Sequence, residues 1–103
     1  MRRRRADRQH QYRSAEYREL QARLAGNVRS LREHRGWTQE ETAERASMAT
    51  PVLQRIEAAN ANVTLTTLAR LCRGLQEDIQ RLFAPARALA MRPRGRPRKT
   101  PRR

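Results

Sequence analysis

The sequence of 103 residues predicts an all-α fold in which five short helices form one small domain. Apolar residues recur at steps of three and four, the spacing that places them on one face of a helix. Capping residues precede several of these segments, and no segment alternates apolar and polar residues as a half-buried strand would. We expect the helical domain to span residues 14–83.

The first predicted helix is capped by Ser14 and runs to about Arg35. Gly36 then supplies a residue that readily adopts the left-handed conformation in which many helices end. The apolar face of this helix consists of Tyr17, Leu20, Leu24, Val28 and Leu31.

The second predicted helix, about residues 39–46, has the strongest local start signal. Thr38 and Glu41 form a Thr-x-x-Glu capping box, in which each side chain satisfies a backbone donor near the other residue. The third helix, about residues 51–58, begins with Pro51, whose missing N–H is no loss in a first turn, and local sequence favours Thr50 as its cap. Its core-facing residues are Val52, Leu53 and Ile56, with Met48 beneath them.

Thr64 opens the fourth predicted helix, and Asp78 opens a short fifth one. Cys72 is the single cysteine, so the chain cannot form an intramolecular disulfide, and its helical spacing favours a small buried residue over a reactive thiol. The apolar residues of the two helices are Leu65, Leu68, Leu71, Leu75, Ile79, Leu82 and Phe83.

The net charge of +14 is concentrated at the two ends of the chain. Residues 1–13 hold six arginines and one acid, for +5; residues 14–83 hold ten arginines and nine acids, for +1; residues 84–103 hold seven arginines and one lysine, for +8. We therefore predict a basic disordered arm, a nearly neutral helical domain and a basic disordered tail. Ends this basic favour a polyanionic partner.

Several other classes of function find no support in the sequence. No run approaches the roughly 20 apolar residues that span a bilayer, and no apolar run follows the arginines at positions 2–5, so we expect a cytoplasmic protein. His10 and His34 lack partners at metal-ligand spacing. Because no nucleophile, base and orienting acid are recognisable, we predict no catalytic residues, metal or cofactor.

Residues 35–68 combine two short capped helices, joined by a tight turn, with the start of another helix. Such a pair can place its second helix in the major groove of DNA while its first helix crosses the backbone. Over residues 24–83 the chain resembles the XRE family of lambda-repressor- and Cro-like DNA-binding domains. The resemblance rests on R-G-W-T-Q-E-E-T-A-E-R-A, V-L-Q-R-I-E, L-T-T-L-A-R-L and the closing L-F.

The resemblance implies DNA contacts from the second and third helices. Gln39 corresponds to a family glutamine that bonds a phosphate and braces the first residue of the recognition helix. Arg55 is the best candidate for a bidentate contact to guanine or for a phosphate contact. The positions of the third helix that face DNA in the family are occupied here by Thr50, Pro51, Val52, Gln54 and Arg55.

The resemblance also implies two structural features. Arg32 and Glu57 fall where the family often has an ion pair between the first and third helices. The loop over residues 59–63 is expected to present backbone amides to a phosphate.

Three residues depart from the family pattern. Thr42 occupies a position that is usually a buried leucine, which costs about 1–3 kcal/mol unless its hydroxyl bonds a nearby carbonyl. Ser47 stands at the usual turn glycine, and Ala49 stands at the usual Ser or Thr cap of the recognition helix. Pro51 and Val52 offer no hydrogen-bonding side chains, so base reading by this helix is expected to be modest.

The tail contains R-P-R-G-R-P-R-K over residues 92–99, which resembles an AT-hook. Glycine lets the backbone lie deep in a groove, and proline keeps the chain extended. A·T tracts have narrow minor grooves with strong negative potential, which attract arginine; a nonspecific basic tail is the alternative. The expected minor-groove or phosphate contacts are Arg94, Gly95, Arg96, Pro97, Arg98 and Lys99.

The sequence thus favours a nucleoid-associated transcriptional regulator, such as a repressor, that binds double-stranded and AT-rich DNA. Two alternatives stay open. One is an antitoxin that binds a toxin and represses its own operon, because A-T-P-V-L-Q-R-I-E is similar to the recognition helix of HigA-type antitoxins. The other is an architectural or silencing protein on AT-rich DNA. RNA binding by the basic ends is a weaker alternative. The first helix around Tyr17 and Leu20 either forms a homodimer contact or covers the core.

Overall fold

Five α-helices follow one another in the part of the chain, residues 14–85, that the computed structural model describes. They are α1 (Ala15–His34), α2 (Gln39–Arg45), α3 (Thr50–Glu57), α4 (Leu65–Leu75) and α5 (Ile79–Leu82). The predicted all-α class is confirmed, and the described range contains no strand. The predicted N-terminal arm and the AT-hook-like segment lie outside the described residues.

Side chains cap three of the four longer helices at the residues predicted from sequence. The Ser14 hydroxyl accepts a hydrogen bond at the start of α1, and the Thr64 hydroxyl does so at the start of α4, each at 3.1 Å. At α2 both bonds of the capping box are present, from the Thr38 amide to Glu41 at 2.8 Å and from the Glu41 amide to Thr38 at 3.0 Å. These starts are therefore encoded locally.

The recognition helix α3 starts differently from the local prediction. Thr50 is its first residue and not its cap, and the cap position is Ala49, as the family pattern indicates. Ala49 makes no side-chain hydrogen bond, and Pro51 takes the second helical position. Since replacing a polar cap by alanine typically costs about 1 kcal/mol, α3 depends on packing more than α1, α2 and α4 do. The short α5 also lacks a side-chain cap bond, although Asp78 takes its cap position as predicted.

The first four helices end in the same way, with two backbone amides bonded back to the last helical turn. At the end of α2, for example, the Ser47 amide bonds the Glu44 carbonyl at 3.1 Å and the Met48 amide bonds the Ala43 carbonyl at 2.9 Å. Ser47 thus keeps the left-handed turn that glycine makes in the family, at a cost of roughly 1–2 kcal/mol. The left-handed residues are Gly36, Ser47, Ala59 and Gln76, with φ of 72°, 56°, 57° and 56°.

The core lies where α1 packs on α3 and α5 while α2 packs on α3 and α4. Cys72 packs against this core, and burial raises the pKa of its thiol, as expected for a structural residue. The buried apolar residues of the core are Leu24, Val28, Leu31, Ala43, Ala46, Leu53, Ile56, Leu71, Leu75 and Leu82.

Thr42 is buried in α2, as its family position implies. Its hydroxyl donates to the Thr38 carbonyl one turn earlier at 3.0 Å. Because the buried donor is satisfied, the polar intrusion avoids most of the desolvation cost that an unpaired hydroxyl would carry.

A buried asparagine ties the end of the domain to α1. Asn27 Nδ2 donates to the Leu82 carbonyl at 2.7 Å and to the Ala84 carbonyl at 3.0 Å. Arg23 Nη1 adds a longer bond to the Phe83 carbonyl at 3.4 Å. A helix as short as α5 is unstable alone, so these bonds hold it in place and anchor the chain as far as Ala84.

Gly74 marks the closest approach of α4 to α2. A Cβ at this position would lie 2.8 Å from the backbone of Ala46, so we expect Gly74→Ala to lower the free energy of unfolding by about 1–3 kcal/mol in a urea titration. Gly26 is the matched control, because its Cβ position is open. Gly26→Ala should stabilise α1 by about 0.5–1 kcal/mol, and destabilisation of similar size at both sites would contradict the tight contact.

Candidate DNA-binding surface

The predicted bihelical unit is formed by α2 and α3. Four residues separate the end of α2 at Arg45 from the start of α3 at Thr50. Leu53 and Ile56 are buried on the inner side of α3, against a core that includes Ala46 from the turn. Packing thus fixes α3 on α2 and turns its other side outward.

The residues assigned to the outer side of α3 differ in exposure. Pro51, Gln54 and Arg55 are exposed, and Thr50 is half-buried. Val52 is also half-buried and packs against the core, so only part of its side chain is open to a thymine methyl group. The exposed polar groups of α3 are therefore concentrated at Gln54 and Arg55.

A buried ion pair lies beneath α3. Arg32 Nε and Nη2 donate to Glu57 Oε2 and Oε1 at 2.7 and 3.0 Å. The Glu57 side chain is 1% exposed and that of Arg32 is 14% exposed. The hydrogen bond to Glu57 raises the pKa of Arg32. Arg32 also donates to the Trp37 carbonyl at 3.1 Å, so one guanidinium joins α1, α3 and the turn before α2.

Gln39 lies at the start of α2 and braces α3 at an unexpected place. Its Nε2 donates to Glu57 Oε1 at 3.0 Å, and its Oε1 accepts from Gln54 Nε2 at 3.3 Å. The predicted bond from Gln39 to the first residue of α3 is therefore wrong, because Gln39 bonds Gln54 instead. Gln54, one turn further along α3 than Thr50, is the residue whose side chain bonds Gln39.

The loop after α3 offers fewer free amides than predicted. The amides of Ala59 and Asn60 bond the Ile56 and Arg55 carbonyls at 3.1 and 2.9 Å. The amides of residues 61–63 have no acceptor within residues 14–85. Within this loop, the backbone donors for a phosphate are therefore limited to the amides of residues 61–63, because the amides of Ala59 and Asn60 close the end of α3.

Two residues beside this loop, Gln21 and Arg29, were not predicted from the sequence. Gln21 Nε2 donates to the Ala61 carbonyl at 3.2 Å, which holds the loop against α1. Arg29 Nη2 donates to the Glu57 carbonyl at 3.4 Å, and its side chain is 55% exposed. The two contacts join residues that are 40 and 28 positions apart in the sequence, so no local pattern predicts them.

Other arginines of the domain are engaged in its own structure. Trp37 lies between the guanidinium groups of Arg35 and Arg45, whose carbons are 5.5 and 4.0 Å from the ring centre. Arg35 also pairs with Glu77 at 2.9 Å. Both kinds of contact stabilise the domain, and the ion pair also offsets the positive charge of Arg35.

The described part of the chain shows no cluster of three or more potential metal ligands. Nor does any helix in residues 14–85 have the length and apolar character needed to cross a membrane. The predicted contacts of Arg94, Gly95, Arg96, Pro97, Arg98 and Lys99 lie outside the described residues and stay predictions.

Known proteins share the five-helix fold and its helix-turn-helix. The model of a family described as helix-turn-helix domain matches residues 23–82. The structure is similar to that of a hypothetical transcription factor, NHTF, from Neisseria, with a TM-score of 0.64 and 27% identity. That similarity covers 69% of this chain and 82% of the Neisseria chain.

Two further solved structures are similar. The restriction-modification controller protein C.AhdI from Aeromonas hydrophila has a TM-score of 0.59 at 24% identity, over 61% of this chain and 96% of that one, and supports the fold alone. An HTH_3 family transcriptional regulator from Vibrio cholerae has a TM-score of 0.61 at 25% identity, over 65% of this chain and 38% of that one. No curated protein is significantly similar in sequence.

Proposed function

The chain belongs to the helix-turn-helix domain family of DNA-binding regulators, which is not a family of enzymes, and we propose that α3 is its recognition helix. In this proposal α3 lies in the major groove, and the basic ends of the chain contact phosphates and an AT-rich minor groove.

The way in which α3 is held in the domain supports this proposal. Its inner side is fixed by Leu53, Ile56 and the ion pair of Glu57. On its outer side the exposed guanidinium of Arg55 makes no hydrogen bond or ion pair within the described residues. A guanidinium without internal partners on an already ordered helix is suited to read a base edge, because binding neither breaks an internal bond of the side chain nor requires the backbone to fold.

Phosphate contacts are proposed for three groups next to α3. Gln39 spends one N–H on Glu57 and keeps another for a phosphate oxygen. Arg29 lies beside the end of α3 with more than half of its side chain exposed. The amides of residues 61–63 are held in place by the bond from Gln21 to Ala61. Such contacts position a protein on DNA without reading its sequence.

The basic ends are proposed to supply most of the affinity. The described domain carries ten arginines and nine acids, whereas residues 86–103 carry eight cations and no acid. Each phosphate that a cation neutralises releases counterions, so binding energy follows the number of free cations. The core Gly95-Arg96-Pro97 would direct this charge to narrow A·T minor grooves.

Replacing Arg55 tests the recognition helix. Arg55→Ala should weaken binding to a preferred duplex by about 1–3 kcal/mol, because it removes a base or phosphate contact that no neighbour replaces. Fluorescence anisotropy with a labelled duplex at about 100 mM salt measures the change. Arg70→Ala is the matched control, since Arg70 is an exposed arginine of α4, outside the bihelical unit. Equal losses would mean that charge alone matters, and no binding of the full chain to any duplex would refute the proposal.

A protein partner is the basis of the second candidate function, the antitoxin. Its support is the exposure of large apolar side chains, 82% for Leu65 and 48% for Leu20. Burial of these two side chains against a toxin or a second copy of the chain would contribute to the stability of such a complex. Light scattering at several protein concentrations detects a homodimer, and co-purification with a toxin encoded beside the gene detects the heteromeric complex. A monomer that captures no such toxin would contradict this candidate.

A further inference from the structure

We propose that Gln39 sets the base preference of Gln54, so that Gln54 reads adenine and rejects guanine. This inference rests on the proposed function, because it assumes that α3 lies in the major groove. It goes further by naming the base and by assigning the choice to a residue that need not touch that base.

The ion pair dictates the orientation of the Gln39 amide. Glu57 is buried, and its carboxylate, held by the permanently charged Arg32, only accepts hydrogen bonds. Gln39 must therefore turn its NH₂ group toward Glu57 Oε1, where the distance is 3.0 Å. The opposite orientation would bring two oxygens together at that distance, away from water.

The orientation of Gln39 in turn dictates that of Gln54. Because the Gln39 carbonyl oxygen faces α3 and accepts only a donor, Gln54 turns its own NH₂ group toward it, with Nε2 3.3 Å from Gln39 Oε1. Gln54 thereby spends one of its two N–H donors. It keeps one donor and the whole carbonyl oxygen, and its side chain is exposed on the outer side of α3.

The remaining groups of Gln54 match one purine edge. Adenine presents an acceptor, N7, beside a donor, the N6 amino group, and a glutamine with one donor and one acceptor binds both. Guanine presents two acceptors, N7 and O6, and a glutamine could satisfy them only by offering both N–H groups. An unbraced glutamine is free to do so, whereas Gln54 has given one N–H to Gln39.

The test starts from duplexes selected from a random pool by the full-length protein and by its Gln54→Ala variant. The base pair whose preference disappears in Gln54→Ala is the one that Gln54 reads. At that position the unaltered protein should bind adenine at least about tenfold more tightly than guanine.

Gln39→Met keeps the length of the side chain and removes both hydrogen bonds. The preference for adenine over guanine should fall to about threefold or less, because Gln54 can then turn its amide. Loss of a phosphate contact by Gln39 would weaken binding to both duplexes alike and leave their ratio unchanged. In the Gln54→Ala background, Gln39→Met should have no further effect on the ratio.

Two results would overturn the inference: a preference unchanged by Gln39→Met, or a preferred purine that is guanine. Thermal unfolding checks that the variants fold, and Gln39→Ala replaces Gln39→Met if the latter does not. A full chain that selects no sequence refutes the proposed function itself, whereas a selected sequence with an unchanged ratio refutes only the role of Gln39.

Discussion

Glu57→Leu is expected to lower the free energy of unfolding by about 3–5 kcal/mol, which would leave a domain of this size close to unfolded. The substitution removes the partner of Arg32 Nε and Nη2, and the Arg32 side chain is only 14% exposed. The largely buried guanidinium would then keep only the longer contact to the exposed carboxylate of Glu33, at 3.9 Å, as a counter-charge. Urea denaturation followed by circular dichroism at 222 nm, a wavelength that reports helix content, measures the loss.

Two controls separate this effect from the general loss of a charge. Glu19→Gln breaks the exposed pair with Arg23 within α1, and should change stability by about 0.5 kcal/mol or less. The double variant Arg32→Met with Glu57→Leu should recover much of the loss, because no unpaired buried charge remains. If Glu57→Leu alone costs less than about 1 kcal/mol, the ion pair does not hold α3 in place as the structure implies.

Removal of residues 86–103 is expected to have the largest effect on DNA binding. These residues carry eight cations, and the cut spares Ala84, whose carbonyl is bonded to Asn27. If every cation meets a phosphate, the slope of log K against log salt changes by about 7, and even half of that number weakens binding by orders of magnitude at low salt. Anisotropy titrations of both chains with AT-rich and GC-rich duplexes between about 50 and 200 mM salt give the two slopes. An unchanged slope would refute the role of the tail.

A charge-matched variant distinguishes an AT-hook from a generic basic tail. Gly95→Val with Pro97→Ala keeps all eight cations but fills the position where the backbone must lie deep in the groove. The salt slope should stay the same while the preference for AT-rich duplexes declines. An undiminished preference for AT-rich duplexes in this variant would favour a generic tail. It would mean that the helical domain is the source of the AT selectivity.

The helices themselves were predictable because their signals are local. A capping box needs only Thr38 and Glu41, three residues apart, and the left-handed stop of α1 needs only Gly36. Apolar spacing placed most of the core face of each helix without knowledge of its neighbour, but it also included Leu20, Leu65 and Ile79, which are exposed. The start of α3 was less certain, since Thr50 and Ala49 were both candidates and only the helix geometry separates them.

The candidate site was predictable only in its outline. The resemblance named Gln39, Gln54 and Arg55, but it assigned the brace of Gln39 to the wrong residue of α3. The contacts of Gln21 and Arg29 were not foreseen. Each of these errors concerns a contact between separate helices or between a helix and a loop, where a shift of one turn changes the partner.

The sequence by itself determined the all-α class, the positions of the helices and the concentration of charge at the two ends, because these follow from spacing, capping and composition. Only the tertiary structure decided that α4 approaches α2 through Gly74, that Asn27 anchors the end of the domain, and that Glu57 orients Gln39 and Gln54. Those contacts join residues between 15 and 55 positions apart. They depend on the distance between packed helices, which no short stretch of sequence specifies.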